Sequence, residues 1–310
     1  MENNKIDVVY VLGNGSKWDN NEIRFSLRSI EKNLLYFRNV YIVGSLPTFL
    51  TNVIHVPAKD IFDPNVNTDG NIITKVLEAC KQEGLSKKFL FINDDHLVLK
   101  PIEARKIPPY HKGNMVEFPD RYWKLNYWRK RLQLTKEILL EKKHTTFHFD
   151  CHTPVVFDKK VFPIIFKRFN YKENIGYTMK SIYGNVVFRT GKLLSGQKKT
   201  IFRNYSLKQI NIRLKDSLLM SFNDQGLNSA LKYWLIRNFP DKSKYEKDIP
   251  SELIFDIYNW NLSGENYQDG VGIFAKYFKH KNLIKMFREN ENDFLRVKLN
   301  YKLNQILKQL

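Results

Sequence analysis

The sequence predicts an α/β fold in which a mostly parallel, Rossmann-like sheet is flanked by helices. Apolar runs of strand length alternate with amphipathic helical patterns through the first 92 residues. Their order is strand, helix, strand, strand, helix, strand, which is typical of a parallel sheet with crossover helices. Polar side chains directly follow several of these runs, and open α/β sheets bind ligands outside the carboxyl ends of their strands.

The length and composition allow one large or two ordinary domains. The chain has 310 residues, of which 43% are hydrophobic, enough for a sizeable core. We predict a main domain over residues 1–274, with an aromatic and basic helical insertion at about 101–145, and a helical tail over 275–310. Two cysteines are too few for a disulfide framework, no apolar run is long enough to cross a bilayer, and the polar N-terminus does not resemble a secretory signal. We therefore expect a cytoplasmic protein.

The net charge of +19 indicates an anionic partner. Nucleic acid, an acidic membrane surface and phosphorylated substrates all fit that charge. The sequence has no zinc-finger spacing, no aromatic pattern of an RNA-recognition motif and no recognisable helix-turn-helix. Nucleic acid is therefore the partner with the least support.

The first predicted strand, Ile6–Gly13, ends in the turn Gly13-Asn14-Gly15-Ser16. Small residues after a strand let backbone N–H groups approach a phosphate closely. The turn lacks the Lys-Ser or Lys-Thr of a Walker A loop and the third glycine of the dinucleotide fingerprint. An ordinary strand-to-loop turn is the alternative.

The first predicted helix covers residues 21–37, since apolar residues recur there at spacings of four, three and four. That stripe consists of Ile23, Leu27, Ile30 and Leu34. Arg24 and Arg28 lie on a neighbouring face, where they could bind a phosphate or a sugar, or simply be solvated. Two short strands, at residues 39–44 and 52–57, and a helix at residues 71–84 are predicted to follow.

The densest polar site follows the strand at Phe89–Ile92, whose continuous apolar character is typical of a strand buried on both faces. Asn93, Asp94 and Asp95 come directly after it. Adjacent carboxylates at a strand end suit a divalent cation such as Mg²⁺ or Mn²⁺ and the phosphates that it carries. The alternative is a turn or helix cap, which the same residue types favour.

A second polar cluster is predicted after the aromatic and basic helix at residues 120–143. His148, Asp150 and His152 alternate there, so in a strand they would share one face. Such a set could bind zinc or act in acid/base chemistry, or it could be hydrogen-bonded structure. A further strand is predicted over residues 183–190, with Arg189 near its end.

The last third of the chain contains one more apolar run that meets polar residues. Residues 218–222 lead into Asn223 and Asp224, repeating the pattern seen at Asp94. The tail at residues 275–310 carries nine Lys and Arg against three Asp and Glu, with a leucine-rich helical stripe. A basic amphipathic helix of this kind either lies on an anionic membrane or packs on the body of the protein.

Taken together, four segments of the chain resemble the Stealth family of sugar-phosphate transferases, which includes bacterial capsular polysaccharide phosphotransferases. The segments are Ile6–Ser16 (IDVVYVLGNGS), Asn20–Val43 with Leu85–Asp95 (LSKKFLFINDD), Asp150–Pro154 with Phe188-Arg189, and Phe222–Asp224 with Phe239–Glu246. Three positions depart from the family pattern. Asn14 replaces an acidic residue of the first segment. Asn67–Asn71 (NTDGN) replaces an LPTFNS segment before the second helix, and Gln225 replaces the second Asp of an Asn-Asp-Asp element.

The resemblance implies a GT-A-like sheet and transfer of hexose-1-phosphate from a nucleotide-sugar to a hydroxyl of a glycan or lipid-linked glycan. The product would belong to a capsular or other cell-surface polysaccharide, and the enzyme would be cytoplasmic or peripheral on the inner face of the membrane. Asp94 and Asp95 would hold Mg²⁺ or Mn²⁺, or one of them would take the acceptor proton. Asn93 would orient them.

The resemblance implies roles for the other candidate residues as well. The Gly13–Ser16 turn would face the nucleotide, and Arg189, with Arg24 or Arg28, would bind phosphates. His152 would act as acid or base, and Asp150 would orient it or bind the acceptor. Asn223 and Asp224 would complete the site from the far half of the chain.

Two other functions fit the same residues. In an ordinary metal-dependent glycosyltransferase the acceptor attacks the anomeric carbon, and a nucleoside diphosphate leaves. In a non-catalytic basic module, the charge alone would bind nucleic acid or membrane.

Overall fold

A computed structural model describes residues 5–123, 126–172 and 175–247. The predicted tail at residues 275–310, with its expected membrane contact, lies outside the described residues, as does the end of the predicted main domain. Within the described residues, no helix combines the length and apolar character needed to span a bilayer. Cys80 and Cys151 are both buried and free.

Twelve strands and seven α-helices make up the described part of the chain. The strands are β1 (Ile6–Leu12), β2 (Leu34–Leu35), β3 (Phe37–Gly44), β4 (Ile54–Val56), β5 (Lys88–Ile92), β6 (His96–Val98), β7 (Ile102–Glu103), β8 (Tyr110–His111), β9 (Val155–Asp158), β10 (Lys192–Leu193), β11 (Lys198–Ile201) and β12 (Leu219–Phe222). The helices are α1 (Asn21–Asn33), α2 (Pro64–Cys80), α3 (Tyr127–Glu141), α4 (Val161–Arg168), α5 (Met179–Tyr183), α6 (Leu207–Leu214) and α7 (Ser229–Asn238).

The main sheet has the strand order β4-β3-β1-β5-β9. The first four strands are parallel, and β9 runs antiparallel to β5. Val8 and Tyr10 of β1 pack with Ile23 of α1 on one face, whereas Val9 packs with Ile73 of α2 on the other. The sheet is therefore covered by helices on both faces, which confirms the predicted α/β fold.

Two helix boundaries differ from the prediction. Helix α1 ends at Asn33 because Leu34 is extended, and Leu34–Leu35 pair with β7 instead. Helix α2 begins at Pro64, seven residues before the predicted start, because Asp63 accepts a hydrogen bond from the Asn65 N–H and Pro64 occupies the first turn. Asn67 breaks the helical geometry, which explains why the apolar pattern becomes regular only after it.

The strand predicted at residues 183–190 is wrong, and the strand that would have placed His148, Asp150 and His152 on one face does not form. Residues 179–188 form α5 and a continuing π-helical turn at Gly184–Phe188, which Arg189 ends in a left-handed conformation. The buried side chains of Met179, Ile182 and Tyr183 have helical spacing, which the apolar run at residues 186–188 obscured. Residues 148–152 are not a strand either, since His152 has φ of +50° and turns the chain.

The predicted insertion forms part of the main core. Residues 120–143 contain a 3-10 turn at Asp120–Tyr122 followed by α3, so the helix begins later than predicted. Trp123, Leu132 and Leu139 pack into the same apolar cluster as α2.

A second sheet brings the far half of the chain to the carboxyl end of β5. Strand β6 follows β5 after the Asn93–Asp95 turn, pairs antiparallel with β12, and β12 pairs parallel with β11. As a result, the starting residue of β6 lies close to the ends of β11 and β12.

Candidate functional site

The candidate site lies where the carboxyl ends of β1, β5 and β12 meet. Strands β1 and β5 are parallel neighbours with Tyr10 opposite Ile92, so the turns at Gly13–Ser16 and Asn93–Asp95 leave the sheet side by side. Ser221 of β12 is paired with His96 of β6, which places Asn223 and Asp224 at the same edge. The structure therefore brings together polar turns that are distant in sequence.

Asp94 and Asp95 lie in different electrostatic surroundings although they are adjacent in sequence. Burial raises the pKa of Asp94, and the charges of Glu22 and Asp224 raise it further. Burial and the charge of Asp94 raise the pKa of Asp95, while Lys198 and Lys180 act in the opposite direction. Asp94 therefore faces an acidic side of the site, and Asp95 faces a basic side.

Asp95 forms a candidate metal site with two histidines. One ligand atom from each of Asp95, His96 and His152 lies within 4.8 Å of the others. The Asp95 Oδ1 atom is 3.6 Å from Nε2 of His96. His96 is 1% exposed, and neither of its ring nitrogens has a hydrogen-bond partner within the part of the chain that the structure describes. An orphaned buried imidazole beside a carboxylate fits a divalent cation that accepts mixed nitrogen and oxygen ligands.

The charge state of His96 suits that role. Burial, with the charges of Lys180, His152 and Lys198, lowers the pKa of His96 well below its usual value. The imidazole is therefore neutral near pH 7, and a neutral imidazole is the form that coordinates a metal. The sequence pattern indicates Asp94 and Asp95 as metal ligands but not His96, because a histidine at the start of an apolar strand resembles an ordinary core residue.

His152 differs from His96 in being exposed. Its backbone is left-handed, with φ of +50°, and its ring centroid lies 6.1 Å from that of His96. Desolvation of the ring is the largest cause that lowers the pKa of His152 to about 3, and the charges of Lys198, Lys180 and Lys112 lower it further. The ring is therefore neutral near pH 7, and the three lysines oppose its protonation.

Asp150 and His148 do not share a face with His152. Asp150 accepts hydrogen bonds from the N–H and the hydroxyl of Ser181, so it anchors α5. No hydrogen bond joins Asp150 to His152 among the residues that the structure describes. His148 is fully buried, with its ring 5.8 Å from that of Phe118 and 5.7 Å from that of Trp128. The three-residue cluster expected from the alternating pattern is therefore absent from these positions.

The Gly13–Ser16 turn is open to solvent beside the acidic side of the site. The Ser16 hydroxyl donates to Glu22 Oε2 at 2.8 Å and accepts from the Asn20 N–H at 2.8 Å, which holds the turn against the start of α1. A Cβ atom added at Gly15 would meet nothing within 4 Å. The turn therefore leaves room for a ligand against its backbone.

Asn223 and Asp224 follow β12 at the same edge as the Asn93–Asp95 turn. Asp224 raises the pKa of both Asp94 and Glu22, after burial, which is the largest cause for each group. Its carboxylate also lies 3.1 Å from the Lys17 ammonium group in an exposed ion pair. The Asn223 side chain accepts from the Gly226 N–H at 3.0 Å and thereby shapes the turn after β12.

Arg24 and Arg28 are a correction to the prediction. Both are 3% exposed and bind the carboxylate of Glu246, with Arg24 Nη1 2.9 Å and Arg28 Nη2 2.8 Å from Oε2. Their guanidinium groups hold the segment after α7 against α1 and are thus engaged within the fold. Arg189 is exposed at the end of the π-helical turn, and its charge, with burial and Arg168, lowers the pKa of His144. No hydrogen bond or ion pair joins its side chain to Asp95 or His152 among the described residues.

Three lysines that were not predicted as site residues lie around His152, in place of the expected arginines. They are Lys112, Lys180 and Lys198, which lie after β8, in α5 and in β11. A lysine within an apolar helical stripe, as at Lys180, was the available signal, but nothing in the sequence showed that the three would meet.

Comparisons with known proteins show a local sequence similarity. No family model matches the chain. Over 106 residues, or 32% of the chain, it is 35% identical to the N-acetylglucosamine-1-phosphotransferase subunits alpha/beta of Mus musculus and 34% identical to those of Homo sapiens. The matched part spans only 8% of the length of either relative.

Among solved structures, the chain is similar to several glycosyltransferases. The galactosyltransferase LgtC in complex with donor and acceptor sugar analogues is 8% identical, with 81% of this chain and 100% of that chain covered and a TM-score of 0.44. A glycosyltransferase involved in glycosylation of the major capsid of PBCV-1 is 12% identical, with 70% and 92% covered and a TM-score of 0.37.

Proposed function

We propose that the protein is a transferase that uses a nucleotide-sugar donor and moves hexose-1-phosphate onto a hydroxyl of a glycan acceptor. The observation that carries this proposal is the convergence of Asp94, Asp95, His152 and Asp224 at the edge of a parallel sheet, beside an open glycine turn. The sequence similarity to a sugar-phosphate transferase over 106 residues supports phosphoryl transfer. The resemblance to the Stealth family supports a role in cell-surface polysaccharide synthesis.

Asp95 and His96, with Asp94 adjoining, are the residues that would hold Mg²⁺ or Mn²⁺, and the imidazole of His96 favours Mn²⁺. His96 is buried, so coordination is the role that its orphaned ring nitrogens fit. The cation, when bound, would neutralise negative charge on the donor phosphates.

His152 is the proposed general base. Its residue is exposed and its ring is neutral, so it can accept the proton of the acceptor hydroxyl as that oxygen bonds to phosphorus, once bound phosphate offsets the lysine charges that lower its pKa. The bond between phosphorus and the oxygen of the nucleoside monophosphate breaks at the same time, and its electron pair leaves with the monophosphate. The proton then passes from His152 to solvent.

The remaining residues position the substrates. The open Gly13–Ser16 turn would contact the nucleotide through its backbone, as small turn residues allow. Asn223 and Asp224 are exposed on the far wall of the site and would bind acceptor hydroxyl groups. Asp150 would act indirectly, by anchoring α5 and with it Lys180.

Identification of the nucleotide that leaves is the decisive experiment. The purified protein is incubated with a panel of nucleotide-sugars and Mg²⁺ or Mn²⁺, with an oligosaccharide acceptor, and the released nucleotide is identified. A nucleoside monophosphate is the expected product. Release of a diphosphate would show glycosyl transfer instead, and no release with any donor, together with salt-sensitive binding to nucleic acid or anionic vesicles, would indicate a non-catalytic module.

A further inference from the structure

Two of the lysines bracket His152 through backbone contacts. Lys180 donates from Nζ to the carbonyl oxygen of Thr153 at 2.7 Å. Lys112 lies with Nζ 3.5 Å from the carbonyl oxygen of Asp150. Their ammonium groups therefore approach the turn from the residues on either side of His152.

The third lysine is placed by the register of the second sheet. Lys198 is opposite Leu219, Thr200 is opposite Ser221, and Ser221 is opposite His96. Residues two apart in a strand share a face, so Lys198 and Thr200 lie on the face that carries His96. The contacts agree, because Lys198 Nζ donates to Thr200 Oγ1 at 2.5 Å and Thr200 Oγ1 lies 3.4 Å from Ser221 Oγ.

These ammonium groups are buried with few partners. Lys180 is 5% exposed and Lys198 is 8% exposed. Neither has a carboxylate within ion-pair distance among the described residues, although an ammonium group carries three donors. Burial and the charges of Lys112 and Lys180 lower the pKa of Lys198 to about 7, although Asp95 acts in the opposite direction. Buried like charges of this kind cost stability unless an anion joins them.

We infer that Lys180 and Lys198, with Lys112 at the rim, form a binding site for two linked phosphate groups. The three ammonium groups come from a helix, a strand and a loop, and so from different directions. Such donors can each contact a different oxygen of a diphosphate, whereas a carboxylate offers only two oxygens in one plane. When all three amines are protonated, they face two carboxylates, those of Asp95 and Asp150, and a cation on Asp95 would increase the positive excess. A diphosphate supplies at least two negative charges to offset it.

This inference rests on the proposed function and names the residues that would bind the donor phosphates. It places those phosphates on the side of the site that Asp95 faces, beside His152. The predicted arginines would then have no part in phosphate binding, because Arg24 and Arg28 are engaged with Glu246.

Binding of inorganic pyrophosphate tests the inference without requiring turnover. Isothermal titration calorimetry in EDTA compares the wild-type protein with Lys180→Met and Lys198→Met, and with Lys199→Met as the matched control. Lys199 lies in the same strand as Lys198 with its side chain on the opposite face. We expect each of the first two substitutions to raise the dissociation constant by at least ~10-fold and Lys199→Met to leave it unchanged.

Folding of each variant is checked by circular dichroism. If a buried substitution prevents folding, Lys112→Met at the exposed rim carries the test, with an expected weakening of ~3-fold or more. Equal pyrophosphate affinity in wild type and the folded variants would overturn the inference, and so would the absence of pyrophosphate binding to the wild-type protein.

The donor assay separates this inference from the proposed function. If the wild-type protein transfers hexose-1-phosphate and Lys198→Met has the same KM for the donor, the inference fails and the function stands. If no nucleotide-sugar is turned over but the lysine substitutions still abolish pyrophosphate binding, the function fails and the phosphate site stands. Lys198→Arg should restore part of the pyrophosphate affinity lost in Lys198→Met, because it keeps the charge.

Discussion

Arg28 and Glu246 are joined by two parallel hydrogen bonds although they are 218 positions apart. The Nε and Nη2 atoms of Arg28 each lie 2.8 Å from a carboxylate oxygen, and the Glu246 side chain is fully buried. The Ser243 N–H and hydroxyl also donate to Glu246 Oε1. These hydrogen bonds hold the segment after α7 against α1. The first turn of α1 contains Glu22, which lies at the candidate site.

Removal of the Glu246 carboxylate should destabilise the fold strongly. Glu246→Ala leaves two buried guanidinium groups without their anion, and the expected loss is ~3–5 kcal/mol in the free energy of unfolding. Urea denaturation followed by circular dichroism measures it. Glu31→Ala is the control, because Glu31 binds the Lys244 N–H of the same segment in an exposed position and its loss should cost less than ~1 kcal/mol. Equal losses in the two variants would contradict the buried pairing.

The same pair should make stability depend on pH. Burial alone would raise the pKa of Glu246, but the hydrogen bonds and charge of Arg28, with Ser243 and Arg24, lower it below its usual value. A lowered folded-state pKa gives stability that is present above the unfolded-state pKa and is lost as pH falls through the folded-state pKa.

Glu246→Gln isolates this contribution. Asp94 and Asp95 act in the opposite direction, because their raised pKa values give stability at low pH that is lost as pH rises. We expect the difference in unfolding free energy between wild type and Glu246→Gln to shrink as pH falls below ~4. A difference that stays constant from pH 7 to the acid limit would show that Glu246 does not titrate differently in the fold.

Asp95→Asn should abolish both metal binding and turnover while leaving stability unchanged or slightly higher. The raised pKa of Asp95, caused by burial and by Asp94, means that its charge is unfavourable in the folded protein without a cation. Mn²⁺ titration and thermal denaturation measure the two effects. Asp216→Asn, at an exposed position, should change neither. A large loss of stability in Asp95→Asn would instead assign the carboxylate a structural role.

His152→Ala distinguishes a base from a metal ligand. As a general base, its removal should lower kcat by ~100-fold or more and leave Mn²⁺ affinity nearly unchanged. His96→Ala should show the reverse pattern, with a large loss of Mn²⁺ affinity as its main effect. If His152→Ala weakens Mn²⁺ binding as much as His96→Ala does, His152 is a ligand and another group takes the acceptor proton.

Gly226→Ala should separate β11 from β12 at the site edge. A Cβ atom there would lie 2.2 Å from the carbonyl oxygen of Ile201, so the backbone must shift. We expect a loss of about 1–3 kcal/mol in unfolding free energy. Gly15→Ala is the control for stability, since a Cβ at Gly15 meets nothing within 4 Å. Equal stability of the two variants would contradict the close approach of the turn after β12 to β11.

Local patterns predicted four of the five strands of the main sheet and one apolar stripe of α1. Ile23, Leu27, Ile30 and Leu34 do lie in one core cluster, as their spacing predicts. Short polar-apolar patterns were less reliable. The alternation of His148, Asp150 and His152 predicted a shared strand face, but a left-handed turn at His152 and burial of His148 separate them.

The α/β order of elements and the position of Asn93-Asp94-Asp95 after a buried strand are predictable from the chain, because both follow from the character of neighbouring residues. Which charges meet depends on how the elements pack. It paired Arg24 and Arg28 with Glu246 and brought Lys180 and Lys198 to Asp95. The physical reason is that a charged side chain responds to whatever lies within a few ångströms, and strand pairing and helix packing set those distances across long separations in sequence.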